Sequence, residues 1–324
     1  MGIKYVFSLA LFLIFYPLVL TATETKITLL SGGDDTYREK VETVLTSVLN
    51  GVNKNRDNRM PLTTLSRFFD DPAFYQFVDM VNQTELYASQ REYRTYLLQT
   101  TDGYYEVRNI KVRIFLGGTA GIPFQNLVFT INPEGVIIQV NFAIEEHHYQ
   151  KIIEQGRQLE DLAYREKILH FLEMYRTAYN KKDEDFIEKT LSEDALIIVG
   201  RVIKTKKETF DYLGKSYLGD EKLEFIRLGK YEYLERLKKV FKNNDFVRAI
   251  FDEVNIQRHP QFEKIYGVQL KQHWQSSSYS DEGYLFLLID FINEDEPIIH
   301  VRAWQPEKFA DGSTISIYDF EIIE

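Results

Sequence analysis

The stretch Ile168-Leu-His-Phe-Leu-Glu-Met-Tyr-Arg-Thr-Ala-Tyr-Asn-Lys-Lys-Asp183 carries the pattern that decides the fold. Its apolar side chains, together with Leu162, recur at three- and four-residue spacing, which predicts a helix over residues 159–180. A short helix is predicted from Asp183 to Leu191, and a brief strand from Ala195 to Gly200. A long helix, a polar turn, a short helix and a strand therefore begin the second half of the chain.

The rest of the second half changes from the helical period to the strand period. Residues after Arg201 are polar and predict a loop, and a further helix is predicted at Tyr231–Phe241. Four strands with turn-rich gaps between them are then predicted at Phe246–Arg258, Lys264–Gln275, Gly283–Ile292 and Ile298–Trp304. Helices followed by antiparallel strands indicate an α+β domain, in which the helices pack on a sheet.

The first half repeats this order of elements. An amphipathic helix is predicted from Asp34 to Val52, and a second helical region, punctuated by Asp70-Asp71-Pro72, from Leu62 to Val81. Strands are predicted at Ile110–Leu116, Leu127–Ile131 and Val136–Ile144, with a hairpin turn at Asn132–Gly135. The repeated order predicts two tandem α+β domains, residues 34–150 and 158–324, that arose by duplication.

The second half resembles the nuclear transport factor 2-like superfamily, which includes ketosteroid isomerases and polyketide cyclases. The resemblance rests on Ile168–Asp183, Phe186-Ile187 and Ala195–Gly200. It covers about half of the chain well, and residues 34–150 resemble the superfamily only in element order. It implies two cone-shaped domains, each with N-terminal helices packed on a curved antiparallel sheet. Since this superfamily contains enzymes, binders and scaffolds, the resemblance specifies no reaction.

Strand parity predicts a group of side chains on one face of the second domain's sheet. Alternate residues of a strand point to the same face, so the last three strands would carry aromatic and polar groups together. The predicted ligand-binding residues are Tyr175, Trp274, Tyr284, Asp290, His300, Arg302 and Trp304. They would form an aromatic-walled pocket with polar ends. The alternative is structural, with tryptophans in the core and Arg302 paired with Asp290 across the sheet.

Asp290 and His300 are the candidate catalytic residues. The resemblance implies acid/base chemistry by a carboxylate or an imidazole whose pKa burial shifts towards neutrality. The sequence shows no recognisable counterpart of the isomerase tyrosine and two-carboxylate constellation, which favours a non-catalytic role. Two hypotheses stay open. One is a binding or scaffolding protein for a small molecule, a glycan or a protein partner, with a dimer allowed. The other is a cofactor-independent isomerase, cyclase or hydratase.

Composition narrows the range of functions. The 324-residue chain has a net charge of -10, which disfavours nucleic acid as a partner, and it contains no cysteine, which excludes disulfides and thiolate chemistry. Glu145-Glu146-His147-His148 is the densest group of potential metal ligands, but it has no matching pair elsewhere and is interpreted as a polar hinge. Gly117–Gly121 lacks the lysine of a phosphate loop and predicts a hairpin loop. We therefore predict no metal and no cofactor.

The N-terminus predicts export. Lys4 precedes an uncharged, mostly apolar run from Tyr5 to Leu20, and the small residues after it predict a signal peptide over residues 1–22, cleaved near Ala22. An uncleaved membrane anchor is the alternative. Together with the absence of cysteine, the signal favours a bacterial periplasm, a cell surface or secretion. No later stretch resembles a membrane span, so we predict no further one.

Overall fold

The computed structural model describes residues 24–115, 124–144, 159–204 and 221–320, and for residues 159–162, 202–204 and 221–222 it describes the backbone alone. The predicted signal peptide, the Gly117–Gly121 loop, the Glu145–His148 cluster and the predicted domain boundary lie outside these residues. Within them, no helix is both long enough and apolar enough to cross a membrane.

Two capped helices open the first half. They are α1 (Asp35–Arg56) and α2 (Asp71–Thr84), with a 3-10 helix at Leu62–Phe68 between them. The carboxylate of Asp34 accepts a hydrogen bond from the Tyr37 amide at 2.8 Å, and that of Asp70 accepts one from the Ala73 amide at 2.9 Å. Each carboxylate satisfies an amide that has no partner inside the helix. The second cap divides the predicted helical region in two.

The strands of the first half form two small sheets. The strands are β1 (Lys26–Leu29), β2 (Tyr87–Ala88), β3 (Glu92–Thr95), β4 (Leu97–Gln99), β5 (Tyr105–Arg113), β6 (Phe124–Ile131) and β7 (Ile137–Phe142). The larger sheet has the order β2-β5-β6-β7, with β4 also paired to β5, while β1 pairs with β3 in parallel. Phe77 of α2 and Phe129 of β6 are buried in the core between helices and sheet.

Among the described residues, the second half places three helices beside one six-stranded sheet. The helices are α3 (Leu159–Lys181), α4 (Glu184–Thr190) and α5 (Lys230–Asn243). The strands are β8 (Leu191–Lys204), β9 (Glu221–Leu228), β10 (Val247–Arg258), β11 (Ile265–Ser276), β12 (Ser280–Asp290) and β13 (Ile298–Gln305). The order is β10-β11-β12-β13-β8-β9, and every pair is antiparallel except β13 with β8. The predicted α+β class, with helices on curved, mainly antiparallel sheets, is confirmed.

Both faces of this sheet are covered. The inner face packs on α3, and Leu172 of that helix shares a core with Val268 and Leu287. The outer face packs against the C-terminal segment, where Ile317 is buried and Phe320 stacks on Phe286 with 5.4 Å between ring centroids. Because both faces are buried, the middle of β12 is an unbroken apolar run rather than an alternating one.

The side of α3 that faces away from its own sheet contacts the first half. A guanidinium nitrogen of Arg108 donates to a Glu173 carboxylate oxygen at 3.3 Å, and the Ile144 amide donates to the same carboxylate at 2.8 Å. Arg176 donates to the Ala143 carbonyl at 2.6 Å, and the Phe142 amide donates to a hydroxyl of α3. Helix α3 is therefore buried on two sides.

Candidate ligand-binding site

The strand register decides which of the predicted residues share a face. Trp274 is paired with Asp281, while Leu285 and Leu287 of β12 are paired with Trp304 and Arg302 of β13. Directly opposed residues of neighbouring strands point to the same side of a sheet. Leu285 and Leu287 belong to the core that packs on α3. Three of the predicted residues, Trp274, Arg302 and Trp304, therefore lie on the inner face, towards Tyr175 of α3.

Tyr284 and Asp290 lie on the outer face, so the prediction that they share a face with Trp274 and Arg302 is wrong. Asp290 is paired with Ile265, which belongs to the outer core. The register is set by the turn that joins β11 to β12, in which the Ser276 amide donates to the Tyr279 carbonyl. A slip of one residue in register reverses the face of every side chain of a strand.

Tyr284 lines a cleft of about 400 Å³ between the outer face and the C-terminal segment. The ammonium of Lys308 lies 5.4 Å from the centroid of its ring. This cleft is separated from the inner face by the sheet itself, so Tyr284 cannot contribute to a pocket shared with Trp274.

Asp290 and His300 do meet. A carboxylate oxygen of Asp290 lies 3.5 Å from Nε2 of His300, and a bulge beside Ile299 takes His300 out of the regular alternation of β13. The His300 side chain is 43% exposed, so the pair lies near solvent and not in an apolar cavity. The alternative pairing of Asp290 with Arg302 is not present, because Arg302 points to the inner face.

The inner face holds a cluster that the sequence pattern predicted only in part. The hydroxyl groups of Tyr175 and Tyr179 are 2.9 Å apart, and the Tyr179 hydroxyl also shares a hydrogen bond with that of Tyr233. The Arg302 guanidinium carbon lies 5.2 Å from the Tyr233 ring centroid and 6.0 Å from that of Tyr179. We call Tyr175, Tyr179, Tyr233 and Arg302 the tyrosine–arginine cluster.

Local structure explains how these side chains converge. Tyr175 and Tyr179 are four residues apart on α3 and so lie one turn apart on the same side of the helix. Tyr233 comes from the first turn of α5, whose start places it over the same region. Arg302 and Trp304 are two residues apart on β13 and share its inner face. The position of Tyr179 in the apolar stripe of α3 was the sequence signal that it is buried against the sheet. For Tyr233 the sequence predicted only that it lies in a helix.

Burial sets the protonation states of the cluster. Burial raises the pKa of Tyr175 to about 12, and burial, with the neighbouring tyrosines, raises the pKa of Tyr179 well above its usual value. Both phenols are therefore protonated at neutral pH. Arg302 is 6% exposed and is a permanent cation, since guanidinium does not lose its proton in proteins.

Two donors on the inner face of β13 lack partners. Arg302 bonds the Tyr175 hydroxyl and makes a long 3.5 Å contact to the Gln272 side-chain oxygen, but its Nε has no acceptor. The indole Nε1 of Trp304 is buried and has no acceptor either. Among the described residues, no carboxylate forms a salt bridge with Arg302. Buried donors are nearly always hydrogen-bonded in native proteins, so these two point to an acceptor other than the described residues.

Asp281 is the inner-face carboxyl that the parity prediction missed. It pairs with Trp274 in the register and accepts a hydrogen bond from the Tyr279 hydroxyl at 2.6 Å. Burial raises the pKa of Asp281, while the bond from Tyr279 and the charge of Arg302 oppose that rise. In the observed register of β12, the carboxyl on the inner face is therefore Asp281 and not the predicted Asp290.

A metal centre is not evident in the part of the chain that the structure describes, where no three histidine, aspartate or glutamate side chains converge as ligands. The predicted cluster Glu145–His148 lies outside that part. The donors that do converge on the inner face are hydroxyls, an indole N–H and a guanidinium. These groups suit hydrogen bonding to an organic ligand and are not typical metal ligands.

No protein-family model matches the sequence, and no curated protein matches it. Solved structures match parts of it. Bd1075 from Bdellovibrio bacteriovorus is 11% identical, with 64% of this chain and 91% of that chain covered and a TM-score of 0.33. An NTF-2 like protein of unknown function from Shewanella oneidensis is 16% identical, with 43% and 97% covered and a TM-score of 0.29.

A third similar structure is Aln2 from Streptomyces, which is 8% identical with 47% of this chain and 94% of that chain covered, at a TM-score of 0.32. The Shewanella protein is described by the name of the superfamily that Ile168–Asp183 resembles. At these TM-scores the likenesses support no statement about activity or ligand, which must come from the site itself.

Proposed function

We propose that this chain is a non-catalytic binding protein and that its second domain holds a small ligand at the tyrosine–arginine cluster. The observation that carries the proposal is the convergence of hydroxyl groups, aromatic rings and two unpartnered buried donors on the inner face. Aromatic walls with a few convergent polar groups are typical of small-molecule sites. Trp274 contributes to these walls, since its ring meets that of Tyr179 edge-on at 5.9 Å.

The protonation states favour binding over catalysis. A general acid or base works best when its pKa is near the working pH. The raised pKa values of Tyr175 and Tyr179 and the permanent charge of Arg302 leave the cluster without a group that exchanges protons at neutral pH. The predicted pair of Asp290 and His300 is outside this site, so it cannot supply the missing base.

A second candidate function rests on Asp281. Its carboxyl lies on the inner face and burial raises its pKa, which are the two properties that a general base in an apolar site requires. An isomerase, cyclase or hydratase without a cofactor would use Asp281 in place of Asp290. This candidate differs from the first because it requires turnover.

The experiment is a thermal-shift screen of the purified protein against aromatic, lipid, steroid-like and glycan fragments. A ligand that prefers the native state must raise the melting temperature. We expect a shift that Trp304→Ala abolishes and that Glu282→Ala, on the outer face of the same sheet, leaves unchanged. No shift with any fragment would contradict ligand binding and would favour the docking of a protein partner through the sheet or the C-terminal segment.

The same ligands distinguish the two candidates. Asp281→Asn is expected to bind them as well as the parent protein does, and neither protein is expected to convert them. Conversion by the parent protein that Asp281→Asn loses at unchanged affinity would replace the binding function by catalysis.

We further propose that the chain is exported by residues 1–22. The sequence pattern of an apolar run after Lys4 supports this location. The intact mass of the protein recovered from the periplasm or medium of an expressing bacterium is expected to correspond to a chain that begins at Thr23. A protein that stays in the membrane at full mass would favour the uncleaved anchor.

A further inference from the structure

Arg302 is a buried cation that forms no salt bridge with a carboxylate among the described residues, although its charge acts on the inner-face carboxyl of Asp281. Its guanidinium contacts two tyrosine rings, one tyrosine hydroxyl and one amide oxygen, all of which are neutral. Taking a charged group out of water is costly unless it is paired with an opposite charge and fully hydrogen-bonded. Two other buried arginines are fully engaged: Arg108 has the carboxylates of Glu106 and Glu173 beside it, and Arg176 donates to the Ala249 and Ala143 carbonyls and to the Gln125 side-chain oxygen. Arg302 differs from both because its buried Nε has no acceptor.

The second unpartnered donor is on the same side of the same strand. Trp304 follows Arg302 by two residues, and its indole N–H is buried without an acceptor. The indole lies against Gly283, where an added Cβ would come within 2.8 Å of two of its ring atoms. A guanidinium and an N–H beside aromatic rings fit a negatively charged oxygen acceptor attached to a flat apolar group.

We infer that the ligand of the second domain is a small aromatic carboxylate, with its carboxylate on Arg302 and the Trp304 N–H and its ring against the aromatic walls. This inference rests on the proposed binding function and adds the chemical class of the ligand. A planar guanidinium matches a carboxylate through two parallel hydrogen bonds, which a neutral ligand cannot form equally well. The Nε of Arg302, which lacks an acceptor, can supply one of the two N–H groups of such a pair.

The test compares three probes by titration calorimetry on the full purified protein. Benzoate has both the charge and the ring, benzamide has the same shape without the charge, and acetate has the charge without the ring. We expect benzoate to bind about 10- to 100-fold more tightly than benzamide, as for a hydrogen bond to a charged partner, and acetate to bind more weakly than benzoate.

Variants locate the recognition. Arg302→Gln is expected to lower benzoate affinity about 10- to 100-fold and to leave the affinity for benzamide within a few-fold. Arg302→Lys keeps the charge but not the planar pair of donors, so its benzoate affinity is expected to lie between those of the parent protein and Arg302→Gln. Trp304→Phe keeps an aromatic ring but removes the indole N–H, and its benzoate affinity is expected to be about 3- to 10-fold lower than that of the parent protein. Arg236→Gln, which removes one exposed arginine from α5, is the matched control and is expected to leave the affinities for benzoate and benzamide unchanged.

The outcomes separate this inference from the function on which it rests. Equal binding of benzoate and benzamide would overturn the carboxylate class and leave the binding function standing. Binding of neutral fragments without any binding of benzoate would likewise overturn the carboxylate class and leave the binding function standing. Absence of binding by all probes and fragments would overturn both. If Arg302→Gln does not fold, Trp304→Phe and the comparison of benzoate with benzamide decide the matter, and an unchanged benzoate affinity in Trp304→Phe and Arg302→Lys would reject the assigned site.

Discussion

Gly283 allows the Trp304 indole to lie against strand β12. A Cβ at this position would be 2.5 Å from the Gln305 carbonyl oxygen and 2.8 Å from the indole. Both neighbours belong to a packed strand, so neither can move away without cost. The smallest side chain is therefore required at residue 283 by packing and not by backbone conformation.

Gly283→Ala is expected to lower the free energy of unfolding by about 1–3 kcal/mol, because an extra methyl group in a packed interior forces neighbours aside. Urea unfolding followed by tryptophan fluorescence measures the change. The neighbouring Glu282→Ala, whose side chain is 62% exposed, is expected to change stability by less than about 0.5 kcal/mol. Equal stability of Gly283→Ala and the parent protein would mean that Trp304 is not held in this position.

Asp281 provides a pH-dependent test of the inner face. Since burial raises the folded-state pKa of Asp281 above its unfolded value, the folded state binds a proton there more tightly than the unfolded state. The stability from this carboxyl is present in full below the unfolded pKa of about 3.9 and is lost as pH rises through the folded pKa. The amide of Asp281→Asn does not ionise, so this variant does not lose stability in this way as pH rises.

Asp281→Asn is therefore expected to be more stable than the parent protein at pH 7, and this gain should diminish as pH falls towards 3. The measurement is the midpoint of urea unfolding for both proteins at several pH values. A gain that is the same at pH 3 and pH 7 would show that the substitution acts through packing and not through ionisation.

At the scale of single elements, helix α3 is the unusual one. Tyr175 on one side is completely buried in the second half of the chain, and Glu173 and Arg176 on the other side are 0% and 2% exposed. A helix with one apolar stripe normally turns its polar side to water. Here the polar side is buried against β5–β7 and the residues after them, so its charges act inside the protein.

Glu173→Gln is expected to lower the free energy of unfolding by about 3 kcal/mol, because removal of one charge from a buried ion pair leaves the other inadequately compensated. Arg108 keeps Glu106 as a partner at 2.9 Å, which limits the loss. Glu232→Gln removes the carboxylate of an exposed pair with Arg236 on α5 and is expected to cost less than about 1 kcal/mol. Urea unfolding at pH 7 compares the two. Equal costs would mean that the Glu173 pair is hydrated.

For the whole molecule, the buried contacts of α3 couple the two halves. The first half contributes Arg108 and Gln125, which bond to Glu173 and Arg176 of that helix. Unfolding either half would leave charged groups of the other without partners. Since such a state is costly, the two halves should lose their structure together.

We expect a single transition in differential scanning calorimetry, with equal calorimetric and van't Hoff enthalpies. Glu173→Gln should broaden this transition or split it in two, whereas the Glu232→Gln control should keep it single. Two separate transitions in the parent protein would show that the halves unfold independently and that the contacts of α3 contribute little to their coupling.

The sequence by itself determined the α+β class and most of the larger elements. Predicted ranges for α1, α3 and the strands β10–β13 agree closely with the structure, because helical and strand periods depend on residues within one or two turns. The aspartates that cap α1 and α2 are equally local signals. The short strands β1–β4 were missed, since two to four residues are too few to show a period. Strand β9 was missed because the polar residues after Arg201 predicted a loop.

Only the tertiary structure decided which side chains meet. The face to which each side chain of β12 points depends on the register of this strand with β11 and β13. Because the C-terminal segment buries the outer side of the strand as well, its sequence does not alternate between apolar and polar residues and could not indicate which side faces α3. The meeting of Tyr233 with Tyr179, and of Glu173 with Arg108, joins residues far apart in the chain. Periodicity reports which residues are buried within an element, whereas the partner against which each is buried is set by the packing of distant segments.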